Sequence, residues 1–235
     1  MCGRFTLSTP PDALADYFEL DAPVSVAPRY NIAPSQDVAV VRIDPDAGTR
    51  SLDPVRWGLV PSWSKEPPGS DARMINARAE TLAERPAFRS AYKRRRCLLP
   101  ADGFYEWKKT GGAKQPYLIR MREGGPFAFA GLWERWKGED GAPLDSCTIL
   151  TTSPNELVGE IHNRMPVILD AKDFGLWLDP KIQGPEELSP LLVPFPSSEM
   201  VAFAVTRRVN NPRNDDASCL EPMEPDPGPP PDLFG

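Results

Sequence analysis

The chemistry starts at the second residue. In Met1-Cys2-Gly3-Arg4-Phe5 the cysteine follows the initiator directly, and its small side chain permits removal of the methionine. That removal leaves an α-amino group and a thiol on one residue, a 1,2-aminothiol. Reference pKa values of about 8 for a free α-amine and about 8.5 for a thiol put both within reach of their nucleophilic forms at neutral pH. An aldehyde meeting this pair forms an imine with the amine. Attack by the sulfur then closes a five-membered thiazolidine. The electrophile suited to such a terminus is a carbonyl. The alternative is an ordinary second residue on a frayed end.

Three other stretches bring groups that could serve it. Asp102-Gly103-Phe104-Tyr105-Glu106-Trp107 sets a carboxylate among aromatics, where desolvation suits Glu106 to proton shuttling. Ile161-His162-Asn163-Arg164 holds the only histidine of the chain, and so its one side chain that ordinarily changes charge near neutral pH. Asn76 and Arg78, two residues apart, point the same way if extended and offer an amide and a guanidinium fork to a carbonyl or a phosphate. Each is equally compatible with a structural role. Trp57 and Trp63 stand among loop-breaking residues and are either base-stacking platforms or core anchors. The run Lys93-Arg94-Arg95-Arg96 suits phosphate contact or a solvated turn.

The elements that must position these groups read as short strands and helices. A helix is expected over 12–18 behind Ser8-Thr9-Pro10-Pro11. Strands are expected at 38–43, 51–57, 103–108, 116–121, 127–133, 146–152 and 200–205. Helical segments are expected from Met74 through Tyr92 with a break at Pro86, at 153–161 with Ser153 as N-cap, and at 171–178. Twenty-nine prolines in 235 residues argue for many loops and against a helical bundle. The fold class is α+β: one domain with a strongly bent, mostly antiparallel, barrel-like β core flanked by short helices. The domain is expected over 1–213, followed by an acidic, proline-rich disordered tail over 214–235.

Charge and composition exclude several classes. Net charge is −6, but six of the 33 acids lie beyond Arg213, leaving 27 acids against 27 bases in residues 1–213. Overall charge therefore gives no argument for nucleic acid, while a locally basic groove is compatible with it. Cys2, Cys97, Cys147 and Cys219 lack paired metal-ligand spacing, so no metal and no cofactor is expected. No apolar run is long enough for a membrane span, and the expected location is the cytoplasm, at the nucleoid when bound to DNA.

Six blocks, taken in order, resemble one family. They are Met1-Cys-Gly-Arg-Phe5, Tyr30-Asn-Ile-Ala-Pro34, Arg56-Trp-Gly-Leu-Val-Pro61, Ile75-Asn-Ala-Arg-Ala-Glu-Thr81, Cys97-Leu-Leu-Pro-Ala-Asp-Gly-Phe-Tyr-Glu-Trp107 and Ile161-His-Asn-Arg-Met-Pro166. Together they are similar to the SRAP family, the SOS response-associated peptidases or abasic-site processing proteins. The resemblance covers essentially residues 2–213. It implies the SRAP fold and a DNA-damage role in which Cys2 crosslinks to the aldehyde of an abasic site in single-stranded DNA through a thiazolidine, shielding the lesion from strand cleavage. It implies catalytic roles for Cys2, Asn76, Glu106 and His162. It also implies DNA contacts by Arg4, Arg78, Arg164 and Thr151, with Trp107 and one of Trp57 or Trp63 stacking on bases.

Two other classes remain open on the sequence. One is an N-terminal-nucleophile thiol peptidase or amidase using Cys2, His162 and Glu106, including autoproteolytic removal of Met1. The other is a non-enzymatic DNA-binding module. A monomer is expected, with single-stranded abasic DNA as partner. The ending Asp232-Leu233-Phe234 also resembles peptides that dock on bacterial sliding clamps.

Overall fold

A computed structural model of the chain describes residues 2–22, 24–44, 48–65, 74–110, 113–138, 141 and 143–223. Among the described residues thirteen strands carry the architecture: β1 Phe5–Leu7, β2 Arg29–Ile32, β3 Asp37–Ile43, β4 Arg50–Trp57, β5 Asn76–Arg78, β6 Arg96–Ala101, β7 Gly103–Thr110, β8 Ala113–Met121, β9 Phe127–Lys137, β10 Pro143–Thr152, β11 Met165–Pro166, β12 Ile168–Leu169 and β13 Met200–Ala204. The strands β4, β3, β6, β9 and β10 pair in that order, and β10 pairs again with β4, so five strands close on themselves as a barrel. All these pairings are antiparallel except the parallel β10–β4 pair. Closure removes the sheet edges that would otherwise invite intermolecular pairing. A second sheet runs β13-β8-β7-β1-β2. The expected α+β class with a bent, barrel-like core is therefore the fold observed.

The interior is tight where strands cross. A Cβ on Gly131 would come within 2.2 Å of Leu99 Cδ1 and 3.0 Å of Cys97 Sγ. Only glycine lets β9 pass that close to its neighbours. Phe5 packs edge-on against Trp57 (ring centroids 5.2 Å apart) and Phe129 (5.7 Å), so β1 is pinned to the barrel by aromatic contact. The N-terminal segment is woven in further by backbone bonds: Tyr105 N–H donates to Arg4 O (2.9 Å) and Asp102 N–H to Thr6 O (2.8 Å). The Asp102 carboxylate also accepts from the hydroxyls and backbone N–H groups of Ser8 and Thr9. Those two residues consequently do not cap the helix Pro11–Phe18, whose N-cap is Pro10.

The sequence expectation differs from the structure at several elements. Residues 76–78, expected to be helical, form β5, paired in parallel with Ile149–Thr151 of β10. Ala-rich composition favours a helix there, but the barrel strand beside it supplies a ready hydrogen-bonding ladder, and tertiary pairing overrides propensity. Only Ala79–Thr81 and Arg89–Arg94 turn helically. The short helix after β10 is Glu156–Gly159, capped by Asn155 Oδ1 accepting from Val158 N–H (2.9 Å), rather than by Ser153.

Ordered packing continues past residue 213, the expected end of the domain. Asp215 accepts from the backbone N–H groups of Tyr30 (2.6 Å) and Asn31 (2.8 Å) and pairs with Arg29. Val205 and Pro222 form an isolated β-bridge. Residues 214–223 thus belong to the folded body. The expected docking motif Asp232-Leu233-Phe234 lies outside the described residues. Among the described residues, no helix is long and apolar enough to cross a membrane.

Candidate functional site

Four of the predicted residues converge where the two sheets meet. Cys2, three residues before β1, is fully buried. Its carbonyl oxygen accepts a hydrogen bond from Asn76 Nδ2 at 2.8 Å. Asn76 is held at the start of β5 by its pairing with Ile149, and the preceding carbonyl, Ile75 O, accepts from the Trp57 indole N–H (2.9 Å). Glu106 lies on β7, only 3% exposed, with Oε1 4.0 Å from His162 Nδ1. The His162 ring nitrogen Nδ1 lies 3.1 Å from the Arg164 backbone N and 3.2 Å from the Arg164 carbonyl oxygen, so the Arg164 backbone holds the ring.

Burial pushes the Cys2 thiol well above its ordinary range, and the nearby negative charge of Glu106 adds to the shift. A thiol so placed rests protonated. The Arg4 guanidinium is pushed down by its own desolvation. It donates to Asn31 Oδ1 (2.6 Å) and Val209 O (2.7 Å) and lies 5.8 Å from the centre of the Trp107 ring. Trp107 in turn donates its indole N–H to Asn210 Oδ1 at 2.8 Å. Glu106, Trp107, Lys109, Lys114, His162 and Asn210 together line a cleft of about 480 Å³. Its opening carries an aromatic face and three basic side chains, and a buried carboxylate sits at its wall.

The remaining predicted residues do not all reach this cleft. Trp57 is fully buried and edge-packed on Phe5, so it cannot stack on a base; the core claims it because the barrel needs a large side chain there. Its contribution is indirect, through Ile75. Trp63 is 65% exposed but lies outside the cleft lining. Thr151 is fully buried, and its carbonyl accepts from Arg164 Nη2 (2.6 Å). Arg164 also forms a two-pronged pair with Glu80, at 2.6 and 2.9 Å. In this state Thr151 and Arg164 brace the His162 loop rather than present donors to a phosphate. Arg78 is exposed. The basic run divides similarly: Arg96 is buried and bonds the carbonyls of Tyr92, Lys93, Trp177 and Ile182, and Arg95 pairs with Glu134. Lys93 and Arg94 alone remain exposed.

Several site residues escaped the sequence reading. Asn31, fully buried, donates to the carbonyls of Val209, Asn211 and Asn214 and holds Arg4 in place. Asn210, Lys109, Lys114 and Glu80 belong to the site by proximity across the fold. None carries a local spacing signal.

Residues 1–212 match the family described as SOS response associated peptidase (SRAP). The abasic site processing protein YoaM of Bacillus subtilis is 44% identical over 94% of this chain and 98% of its own length. The abasic site processing protein YedK of Escherichia coli is 32% identical over 95% of this chain and its full length. A crystal structure of a Bacteroides thetaiotaomicron protein superposes with a TM-score of 0.84 at 25% identity, covering 94% of this chain and 100% of that one. With a match over residues 1–212 and relatives of the same length above 30% identity, the chain belongs to the SRAP family.

Proposed function

We propose that this protein processes abasic sites in DNA, and that Cys2, once Met1 is removed, captures the ring-opened sugar of an abasic site in single-stranded DNA as a thiazolidine. The observation that carries the reading is the hydrogen bond from Asn76 to the Cys2 carbonyl. It ties the Cys2 backbone to β5, and the Cys2 thiol feels the charge of Glu106, which lines the cleft together with His162. The names of the relatives, abasic site processing proteins, supply the substrate class.

The atoms balance without a cofactor. The Cys2 amine adds to C1′ of the aldehyde to give a carbinolamine, which loses its hydroxyl as water to leave an imine. The Cys2 sulfur adds to the imine carbon, its proton passing to the nitrogen. One C–N and one C–S bond form and one water leaves. Glu106 moves the protons for dehydration and for the reverse reaction, with His162 assisting beside it. Asn76 orients the aminothiol, and Trp107 stacks on a neighbouring base. A single strand is the fitting substrate, because a protein terminus must lie beside the sugar where an opposing strand would stand. The adduct shields the lesion from strand cleavage.

The rival thiol-hydrolase reading needs a thiolate at rest beside an imidazolium. The upward shift of the Cys2 thiol works against that state, whereas an amine-first addition tolerates it. The test is intact mass spectrometry after mixing the purified protein with an abasic single strand. The expected species lacks Met1 and has the summed mass less one water. Cys2→Ser keeps the amine, so its adduct should require borohydride trapping. A Met1-retaining protein that forms the same stable adduct would refute the mechanism.

A further inference from the structure

Lys109 of β7 and Lys114 of β8 stand directly opposite one another in the antiparallel ladder. Both are exposed. Both line the cleft that holds Glu106, Trp107, His162 and Asn210. Like charges placed opposite across a strand pair destabilise it. A phosphodiester lying between the two ammonium groups reverses that repulsion and accepts a charge-assisted hydrogen bond from each.

The direction of the strand says which phosphate this is. Lys109 follows Trp107 on the same face of β7, because side chains alternate along a strand. At about 3.3 Å per residue its backbone lies about 10 Å along β7 from that of Glu106, and both residues line the cleft. A strand leaving the reaction centre along the hairpin meets first the Trp107 ring, held by Asn210 at 2.8 Å, and then the lysine pair. Among the described residues the only carboxylate in the lining is Glu106, so the described far end of the cleft is positive although the chain carries −6. Local charge of this kind supplies the attraction that the net charge does not.

We propose that Lys109 and Lys114 form a subsite for one phosphodiester of the nucleotide flanking the lesion; that the neighbour is a lesion rests on the abasic-site reading above. The subsite sets the direction in which the strand leaves the reaction centre.

The test uses full-length protein and a single-stranded oligonucleotide whose abasic site has been reduced with borohydride, leaving no aldehyde to react. Binding is followed by fluorescence anisotropy across a salt series. In Lys109→Gln/Lys114→Gln, affinity should fall about tenfold, and the slope of log K against log salt should shrink by about 0.7, the value for one phosphate contact in a single strand. Lys109→Arg/Lys114→Arg should retain both. A neutral methylphosphonate walked along the backbone should weaken wild-type binding at one flanking position and have no further effect there in the glutamine variant. An unchanged salt slope, equal methylphosphonate effects in the two proteins, or a lower unfolding midpoint for the glutamine variant would overturn the subsite. Failure of the wild type to form a covalent adduct with an unreduced abasic strand, while the lysine-dependent slope persists, overturns the function and leaves the subsite standing.

Discussion

The side-chain amide of Asn76 donates to the main-chain oxygen of Cys2 at 2.8 Å, tying the N-terminal segment to the strand that runs beside β10. Seventy-four residues of sequence separate the two. The bond holds Cys2 by its backbone and, in the proposed mechanism, leaves its amine and sulfur to chemistry.

Removing that tether should slow capture without unfolding the protein. Asn76→Ala is expected to reduce the single-turnover rate of crosslinking to an abasic single strand by about 10- to 100-fold, the cost typical of misplaced reacting groups. Far-ultraviolet circular dichroism should be unchanged. A wild-type rate in Asn76→Ala would remove the positioning role.

Glu106→Gln keeps the shape and polarity of a side chain that is nearly fully buried, and it abolishes proton exchange. Crosslinking and its reversal should both slow by about 10²–10⁴-fold, as expected for loss of a general acid–base group. Crosslinking followed by denaturing gel at pH 7 decides this, and a variant with an unaltered rate would show the protons to travel elsewhere.

The two loop tryptophans should separate cleanly. Trp57→Ala empties a core position and is expected to cost about 3–5 kcal/mol in urea unfolding. Trp63→Ala, at a 65% exposed side chain, should stay within about 0.5 kcal/mol of wild type. If Trp63 stacks on DNA, its alanine variant should also lose about 1–3 kcal/mol of single-strand affinity. Equal stability losses in the two would contradict the burial.

Asp215 should anchor the segment 214–223 in a pH-dependent way. Partial burial opposes its ionisation, but the hydrogen bond from Arg29 and the N–H groups of Tyr30 and Asn31 outweigh it, holding its carboxyl below the usual range. A carboxyl whose folded pKa lies below its unfolded value of about 3.9 adds stability that is fully present above that value and lost as pH falls through the folded one. Asp215→Asn should therefore destabilise the protein at pH 7, with the difference from wild type shrinking between about pH 4 and pH 2. Guanidinium unfolding at both ends of the range measures it, and a difference that grows toward low pH would reverse the assignment.

Much of the architecture was legible because it is locally encoded. Alternating β-branched and aromatic residues marked β3, β7, β9 and β10, and proline density pointed away from helical bundles. The six motif blocks brought Cys2, Asn76, Glu106 and His162 to attention before any coordinates. What misled was also local: alanines around Asn76 favour a helix in isolation, and tryptophans among loop breakers look exposed.

The sequence by itself determined the α+β class and the family resemblance and named the candidate reactive groups, since these depend on residue type, periodicity and order along the chain. Only the tertiary structure decided that Trp57 is a core anchor, that Arg164 is spent on Glu80 and the Thr151 carbonyl, that residues 214–223 pack on Arg29 and Asn31, and that Lys109 faces Lys114 in the cleft that Glu106 also lines. Those facts depend on which distant side chains share a space. Barrel closure sets that through long-range pairing, and no local pattern encodes it.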